Sequence, residues 1–130
     1  MTNNFIIASL IGRINLAKKH KKVYIIEKKS NVGAVILKML MRKHLIKKFL
    51  ITKENFIIFL QYRGNFSLLR SIKLISKPGK RIFIDLYQLK SFIYQNPAYF
   101  YILSTTKGLL YGEECLMLNM GGELLVKIVM

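Results

Sequence analysis

The sequence predicts an α+β protein, with an N-terminal α-β-α-β-β lobe packed against a C-terminal β-rich lobe that holds a short helix. Three observations predict it. Apolar residues recur at helical spacing in two early segments, residues 6–17 and 32–40. From residue 46 onward the apolar runs are short, rich in Ile, Leu and Phe, and punctuated by turn residues, as strands are. The chain has 130 residues, 52% of them hydrophobic, enough core for one domain or two small lobes.

Ile6, Leu10, Ile14 and Ala17 fall on one helical face, with Asn3 or Asn4 available as a cap, and predict a helix over 4–18. Lys18-Lys19-His20-Lys21-Lys22 then makes a basic loop, and residues 23–26 a short strand. Ser30 caps a second helix with Val32, Ile36, Met39 and Leu40 as its apolar stripe. Lys38, Arg42 and Lys43 come late in that helix, where cations suit the negative end of its dipole. Residues 46–52 and 55–62 read as two strands joined at Lys53-Glu54. Arg63-Gly64-Asn65 is the expected boundary between lobes 1–64 and 65–130.

Residues 69–76 read as a strand. Lys77-Pro78-Gly79-Lys80 is a type II turn signal: proline presets the first corner and glycine permits positive φ at the second. Residues 81–85 return as a strand, and 86–94 are ambiguous, a short helix being one reading. Asn96-Pro97 breaks the chain; 99–103 read as a strand, 113–118 as a short helix and 124–129 as a last strand. Gly121-Gly122 reads as a helix stop before that strand.

Lys and Arg number 22 against 6 acidic residues, a net charge of +16 and a pI near 10.1. Such an excess repels itself in a compact monomer, and a polyanion, most often nucleic acid, relieves it. Residues 1–64 carry fourteen basic and two acidic side chains, residues 65–130 eight and four. The N-terminal half is thus the electrostatic face and the C-terminal half the discriminating one. Cys115 stands alone, so no internal disulfide forms and a reducing compartment fits. Lys or Arg interrupts every apolar run before it reaches the length of a membrane span.

The motif with the most information is Ser104-Thr105-Thr106-Lys107-Gly108, directly after an apolar run, with Gly121-Gly122-Glu123 following. Hydroxyls donate and accept hydrogen bonds, and glycine lets a backbone come close to a partner. The loop holds no general base and no metal ligand; it is suited to gripping. Elsewhere, His20, His44 and Cys115 lack ligand spacing, and the adjacent Glu113-Glu114 point apart on a helix. No catalytic residue, metal or cofactor is expected. The histidines read as solvated surface and Cys115 as packed core or part of a short helix. Tyr99, Phe100 and Tyr101 could stack on bases, although alternation along a strand turns some of them into the core.

These motifs, in this order, resemble the universal small-subunit ribosomal protein number eight over almost the whole chain. The matching pieces are Ile11-Gly12-Arg13-Ile14-Asn15, residues 30–45, Ser76-Lys77-Pro78-Gly79-Lys80-Arg81-Ile82, Ser104-Thr105-Thr106-Lys107-Gly108 and Gly121-Gly122-Glu123-Leu124. The resemblance implies binding to the central domain of the small-subunit ribosomal RNA, early in assembly, chiefly through the C-terminal lobe. Neighbouring small-subunit ribosomal proteins are the other implied partners. Carried over by position, Ser104, Thr105, Thr106, Gly108, Gly122 and Glu123 would meet an irregular RNA helix, with Pro78 and Gly79 shaping a turn beside it. Lys107, Lys80, Arg81, Asn15, Lys18, Lys19 and Ser30 complete the expected RNA-binding set. Thr106 stands where the family has serine, Phe83 where tyrosine is common, and Tyr111-Gly112 where a Thr-Asp pair is usual.

Because the chain starts and ends where the family does, no removable presequence is expected. Its wealth of Ile, Lys, Asn, Phe and Tyr suggests an AT-rich genome. A mitochondrial, organelle-encoded ribosomal protein is the expectation, with a plastid or an AT-rich bacterium as the alternative. The rival classes are a basic membrane-surface or general RNA-binding protein and a small nuclease. The first needs an amphipathic helix with a clean cationic face, whereas here Arg13 sits near the apolar stripe; the second lacks a catalytic pair.

Overall fold

The structure is a computed structural model that describes residues 3–64, 66–67, 69–77 and 79–129. The chain divides into two compact units, Met1–Arg70 and Ser71–Met130. The first runs α1 (Asn3–Lys19), β1 (Tyr24–Lys28), α2 (Asn31–Arg42), β2 (Ile46–Ile51), β3 (Asn55–Leu60) and a short ribbon, β4 (Tyr62–Arg63) with β5 (Phe66–Ser67). The second runs β6 (Ser71–Leu74), β7 (Phe83–Ile84), α3 (Leu86–Gln95), β8 (Tyr99–Thr105), β9 (Gly108–Tyr111), α4 (Gly112–Met117) and β10 (Gly122–Val129).

In the first unit an antiparallel sheet of order β1-β3-β2 packs with α1 and α2. Ile7, Leu10, Ile11, Ile14 and Ala17 are buried, so the stripe of α1 is wider than the expected one and swaps Ile6 for Ile7. Each such Ile or Leu side chain contributes about 1.5–3 kcal/mol when fully buried. The helix begins at Asn3, which places both asparagines inside it and not at its cap. It also takes in Lys18 and Lys19, so the basic loop starts after them. Ser30 caps α2 as expected, its Oγ accepting the Gly33 N–H at 3.0 Å. A Cβ on Gly33 would meet Ser30 Oγ at 2.6 Å and the Phe56 ring at 3.1 Å, so this glycine sets how close α2 lies to β3.

Three helices end without glycine. The N–H of Lys22 reaches the Ala17 carbonyl and that of Lys21 reaches Lys18; the pattern repeats at Leu45 and His44, and at Met120 and Asn119. These are Schellman closures, with Lys21, His44 and Asn119 at positive φ (54°, 58°, 55°) where glycine is usual. α4 therefore stops at Met117, closed by Asn119, and Gly121-Gly122 is not its stop, contrary to the sequence expectation.

Arg63 and Gly64, expected to part the lobes, instead lie inside the first unit. Gly64 (φ 64°) lies between β4 and β5, Asn65 lies outside the described residues, and the units part after Arg70. Turn residues serve a hairpin as readily as a linker. In the second unit the sheet has the order β6-β10-β8-β9, with β7 also pairing β10. One core cluster of this unit comprises Ile84, Leu89, Tyr101, Leu103, Cys115 and Leu124, bringing α3 and α4 onto the sheet. The ambiguous segment is a helix: Asp85 caps α3 by accepting the Gln88 N–H at 2.8 Å, while Gln88 Oε1 accepts the Asp85 N–H at 3.1 Å. Asp85 was expected to end a strand; that strand is only β7. Likewise β6 is shorter than the expected 69–76, and β9 was not foreseen.

Candidate nucleic-acid interface

The hydroxyl motif is the tip of a hairpin. β8 runs through Ser104 and Thr105, Thr105 pairs with Gly108, and Thr106-Lys107 make the turn. Gly108 has φ 99°, a left-handed conformation that a side chain would strain. The Thr105 hydroxyl is spent within the turn, donating to the Gly108 carbonyl at 2.9 Å and accepting the Lys107 N–H at 3.1 Å. Ser104 and Thr106 differ: among the described residues neither hydroxyl has a hydrogen-bond partner, and Thr106 and Lys107 are exposed. Three hydroxyls alike in sequence thus divide into one that builds the turn and two with no partner among the described residues.

Register places the rest of the site. Glu123 in β10 is the cross-strand partner of Ser104 on one side and of Phe83 on the other. Cross-strand partners share a face, so Phe83, Glu123 and Ser104 form a row across three strands. Phe83 is 65% exposed on that row. The alternate positions, Ile84, Leu103 and Leu124, face the core cluster.

Glu123 itself is unusual. Its side chain is mostly buried, and Oε2 has no hydrogen-bond partner among the described residues. Arg81 Nε lies 4.0 Å from it, at the limit of an ion pair. A carboxylate oxygen so placed lacks a donor, which is costly until one arrives.

The two glycines set the spacing of this row. A Cβ on Gly121 would stand 2.4 Å from the Ile84 carbonyl oxygen, and one on Gly122 2.4 Å from that of Ser104. Both are there for close backbone approach.

Beside the row, Lys77 and Lys80 close a turn by exchanging backbone hydrogen bonds of 3.0 and 2.9 Å. Pro78, on which the expected turn type depends, lies outside the described residues. Gly79, Lys80 and Arg81 are exposed there. Sequence reading missed the residue that anchors this turn, Ser76. Fully buried, its Oγ accepts the Ile82 N–H at 3.0 Å and donates to the Leu124 carbonyl at 2.7 Å. Its place in the motif 76–82 was the available signal.

The remaining expected residues lie in the first unit. Asn15, Lys18 and Lys19 stand in the last turns of α1, and burial pulls the Lys18 ammonium below its usual pKa. The Ser30 hydroxyl is engaged as a helix cap, so its expected RNA contact would compete with that bond. Of the three consecutive aromatics, Tyr101 packs near Phe92, Phe100 sits edge-on to Tyr111, and the Lys127 ammonium covers the Tyr99 ring at 4.7 Å. The exposed ring of the site is instead Phe83.

Among the described residues no cluster of His, Cys, Asp and Glu could hold a metal ion. No helix among them is long and apolar enough to cross a membrane.

The family model for Ribosomal protein S8 matches residues 6–129. Small ribosomal subunit protein uS8m of Acanthamoeba castellanii is 32% identical over 124 residues, which cover 95% of this chain and 98% of that protein. Small ribosomal subunit protein uS8 of Rickettsia typhi is 32% identical over 133 residues, with 98% of each chain covered, and that of Rickettsia canadensis matches equally. On this match over nearly its whole length, the chain belongs to the Ribosomal protein S8 family.

Proposed function

We propose that this chain binds the central domain of the small-subunit ribosomal RNA, early in assembly, through the row Phe83–Glu123–Ser104 and the hairpin tip beside it. As a Ribosomal protein S8 family member it is a structural constituent of the small ribosomal subunit. Ribosomal RNA and neighbouring ribosomal proteins are its partners, and it works by contact and not by catalysis.

The observation that carries the reading is the orphaned Glu123 Oε2 next to the unspent Ser104 hydroxyl. A carboxylate repels phosphate, so in an RNA interface it is useful only against a donor: a ribose 2′-hydroxyl or a base amino group. Ser104 and Thr106 add hydroxyls that suit the same groups. Phe83 offers a ring for a base to stack on. Lys80, Arg81 and Lys107, with Lys18 and Lys19 of the first unit, supply sequence-independent attraction to phosphate.

The sign of one substitution tests it. If Glu123 receives RNA donors, Glu123→Ala weakens binding to a central-domain RNA fragment by about 1.5–3 kcal/mol. If it merely sits near RNA, removing its charge strengthens binding by relieving repulsion with phosphate. Tighter binding by the variant would therefore defeat the reading. Affinity of the unaltered protein should also fall by orders of magnitude from low to moderate salt, as neutralisation of about 6–10 phosphates requires.

We assign the ribosome to the mitochondrion, supported by the likeness to the Acanthamoeba castellanii uS8m and by the Ile-, Lys- and Asn-rich composition. Co-sedimentation of the chain with ribosomes of purified mitochondria tests this assignment; its recovery only with plastid or cytosolic ribosomes would defeat it.

A further inference from the structure

The three-stranded sheet of the first unit has one face covered and one open. Phe56 and Ile58 of β3 are buried on the covered face, where Gly33 of α2 abuts the Phe56 ring. The alternate residues form the opposite face. Register puts Tyr24, Phe59 and Lys48 in one row across it, and Ile26, Ile57 and Leu50 in the next, with Lys28 beside Asn55 beyond them. Tyr24, Ile26 and Leu50 are 53%, 49% and 47% exposed. A contiguous apolar surface of this kind, bordered by polar residues, marks an interaction site.

Its chemistry selects the occupant. The centre is aliphatic and cannot stack on bases. The Phe59 ring is taken: the Lys48 ammonium lies 5.1 Å from its centroid, and Tyr24 leans on it at 6.0 Å and 41°. Base stacking, which needs open rings, is therefore poorly served, and the aliphatic centre offers nothing to phosphate. A second copy is disfavoured too, because the strand positions of this face carry Lys28 and Lys48 and no acid, in a chain of net +16. A complementary surface is apolar in the middle and acidic at its edge.

We propose that this outer face docks a different protein of the small subunit, one that presents aliphatic side chains flanked by Asp or Glu to Lys28 and Lys48. The inference rests on the ribosomal reading above.

Zero-length carbodiimide coupling in purified small subunits tests it, because that chemistry joins a lysine amine only to a carboxylate in contact. The expected result is Lys28 and Lys48 both joined to acidic residues of one other protein. Coupling of other lysines of the chain but not these two would overturn it. So would coupling to a second copy, or ultraviolet crosslinks from Tyr24 or Phe59 to RNA. Absence of the chain from small subunits overturns the ribosomal reading as well, whereas its presence with both lysines uncoupled overturns this inference alone. Ile26→Ser combined with Leu50→Ser alters only exposed positions. It should keep the wild-type circular dichroism and affinity for the RNA fragment, while coupling from Lys28 and Lys48 falls several-fold; unchanged coupling would also overturn the proposal.

Discussion

Gly122 and Ser104 are held so close that a Cβ on Gly122 would stand 2.4 Å from the Ser104 carbonyl oxygen and 3.1 Å from the Thr105 methyl. The contact joins β10 to the end of β8 just where the hydroxyl hairpin begins. Backbone proximity at this point keeps Glu123 beside Ser104, since the two are cross-strand partners one residue further along.

Gly122→Ala should therefore act on both stability and binding. The methyl has a backbone atom in its way, which cannot swing aside as a flexible side chain would, so the strands must part. Overpacking of this kind costs about 1–3 kcal/mol. Urea denaturation should show that loss. Titration with the RNA fragment, under conditions where the variant remains folded, should show weaker binding, because Ser104 and Glu123 move apart. Wild-type stability together with wild-type affinity would refute the spacing role of Gly122.

The hairpin hydroxyls should separate in their effects. Thr106→Ala and Ser104→Ala remove unspent groups and should lower RNA affinity by about 1–2 kcal/mol each, with little change in stability. Thr105→Ala removes both bonds that tie the turn, to the Gly108 carbonyl and from the Lys107 N–H. It should lower protection of the Lys107 amide from hydrogen exchange, which the other two leave alone. Equal exchange behaviour in all three variants would contradict the division.

Cys115 should behave as a buried thiol. Burial raises its pKa, and the nearby Glu114 carboxylate adds to the effect. A thiol-specific reagent at mild alkaline pH should react with it only after denaturant is added. The sign for stability follows from the raised folded pKa: the neutral thiol is favoured in the fold, so its contribution is present below the unfolded value and is lost as pH climbs above it. That value is about 8.5, so stability should decline on the alkaline side of it. Prompt labelling of the native protein would disprove the burial.

Much of this was legible in the sequence, for reasons particular to each element. Ser30 stood before a clear 3.6-residue stripe, and α2 follows it as written. The hydroxyl-glycine run was legible as a tight loop at the end of a strand, because small hydroxyls and a glycine suit a turn, and it joins β8 to β9. The β9 strand escaped notice because Gly108–Tyr111 is four residues long, and its pairing with β8 is tertiary information. The helix ends at Lys21, His44 and Asn119 were hidden because none of them is glycine. Gly121-Gly122 misled for the converse reason. Glycine after a helix ordinarily signals its stop, but here it serves close packing of strands, a role visible only once β7, β8 and β10 are side by side.

Ser76 offers the sharpest test of how the site is held. Its hydroxyl accepts the Ile82 N–H and donates to the Leu124 carbonyl, at the point where β10 shifts register against β8. Ile82 lies next to Arg81 and Phe83, and Leu124 next to Glu123, so one buried hydroxyl fixes both flanks of the orphaned carboxylate. Ser76→Ala removes little volume but strips a partner from two backbone groups. Each such buried group costs about 1–3 kcal/mol when left unsatisfied. A loss of roughly 2 kcal/mol or more in urea denaturation is expected, with a smaller loss for Ser76→Thr, which keeps the hydroxyl but adds a methyl. Because Ser76 itself is buried away from any RNA, weaker RNA binding by the folded variant must come through Arg81, Phe83 and Glu123. Combining Ser76→Ala with Glu123→Ala separates the two routes. If Ser76 acts by positioning Glu123, the double variant binds little worse than Glu123→Ala alone; full additivity of the two losses would show that Ser76 supports binding by some other path.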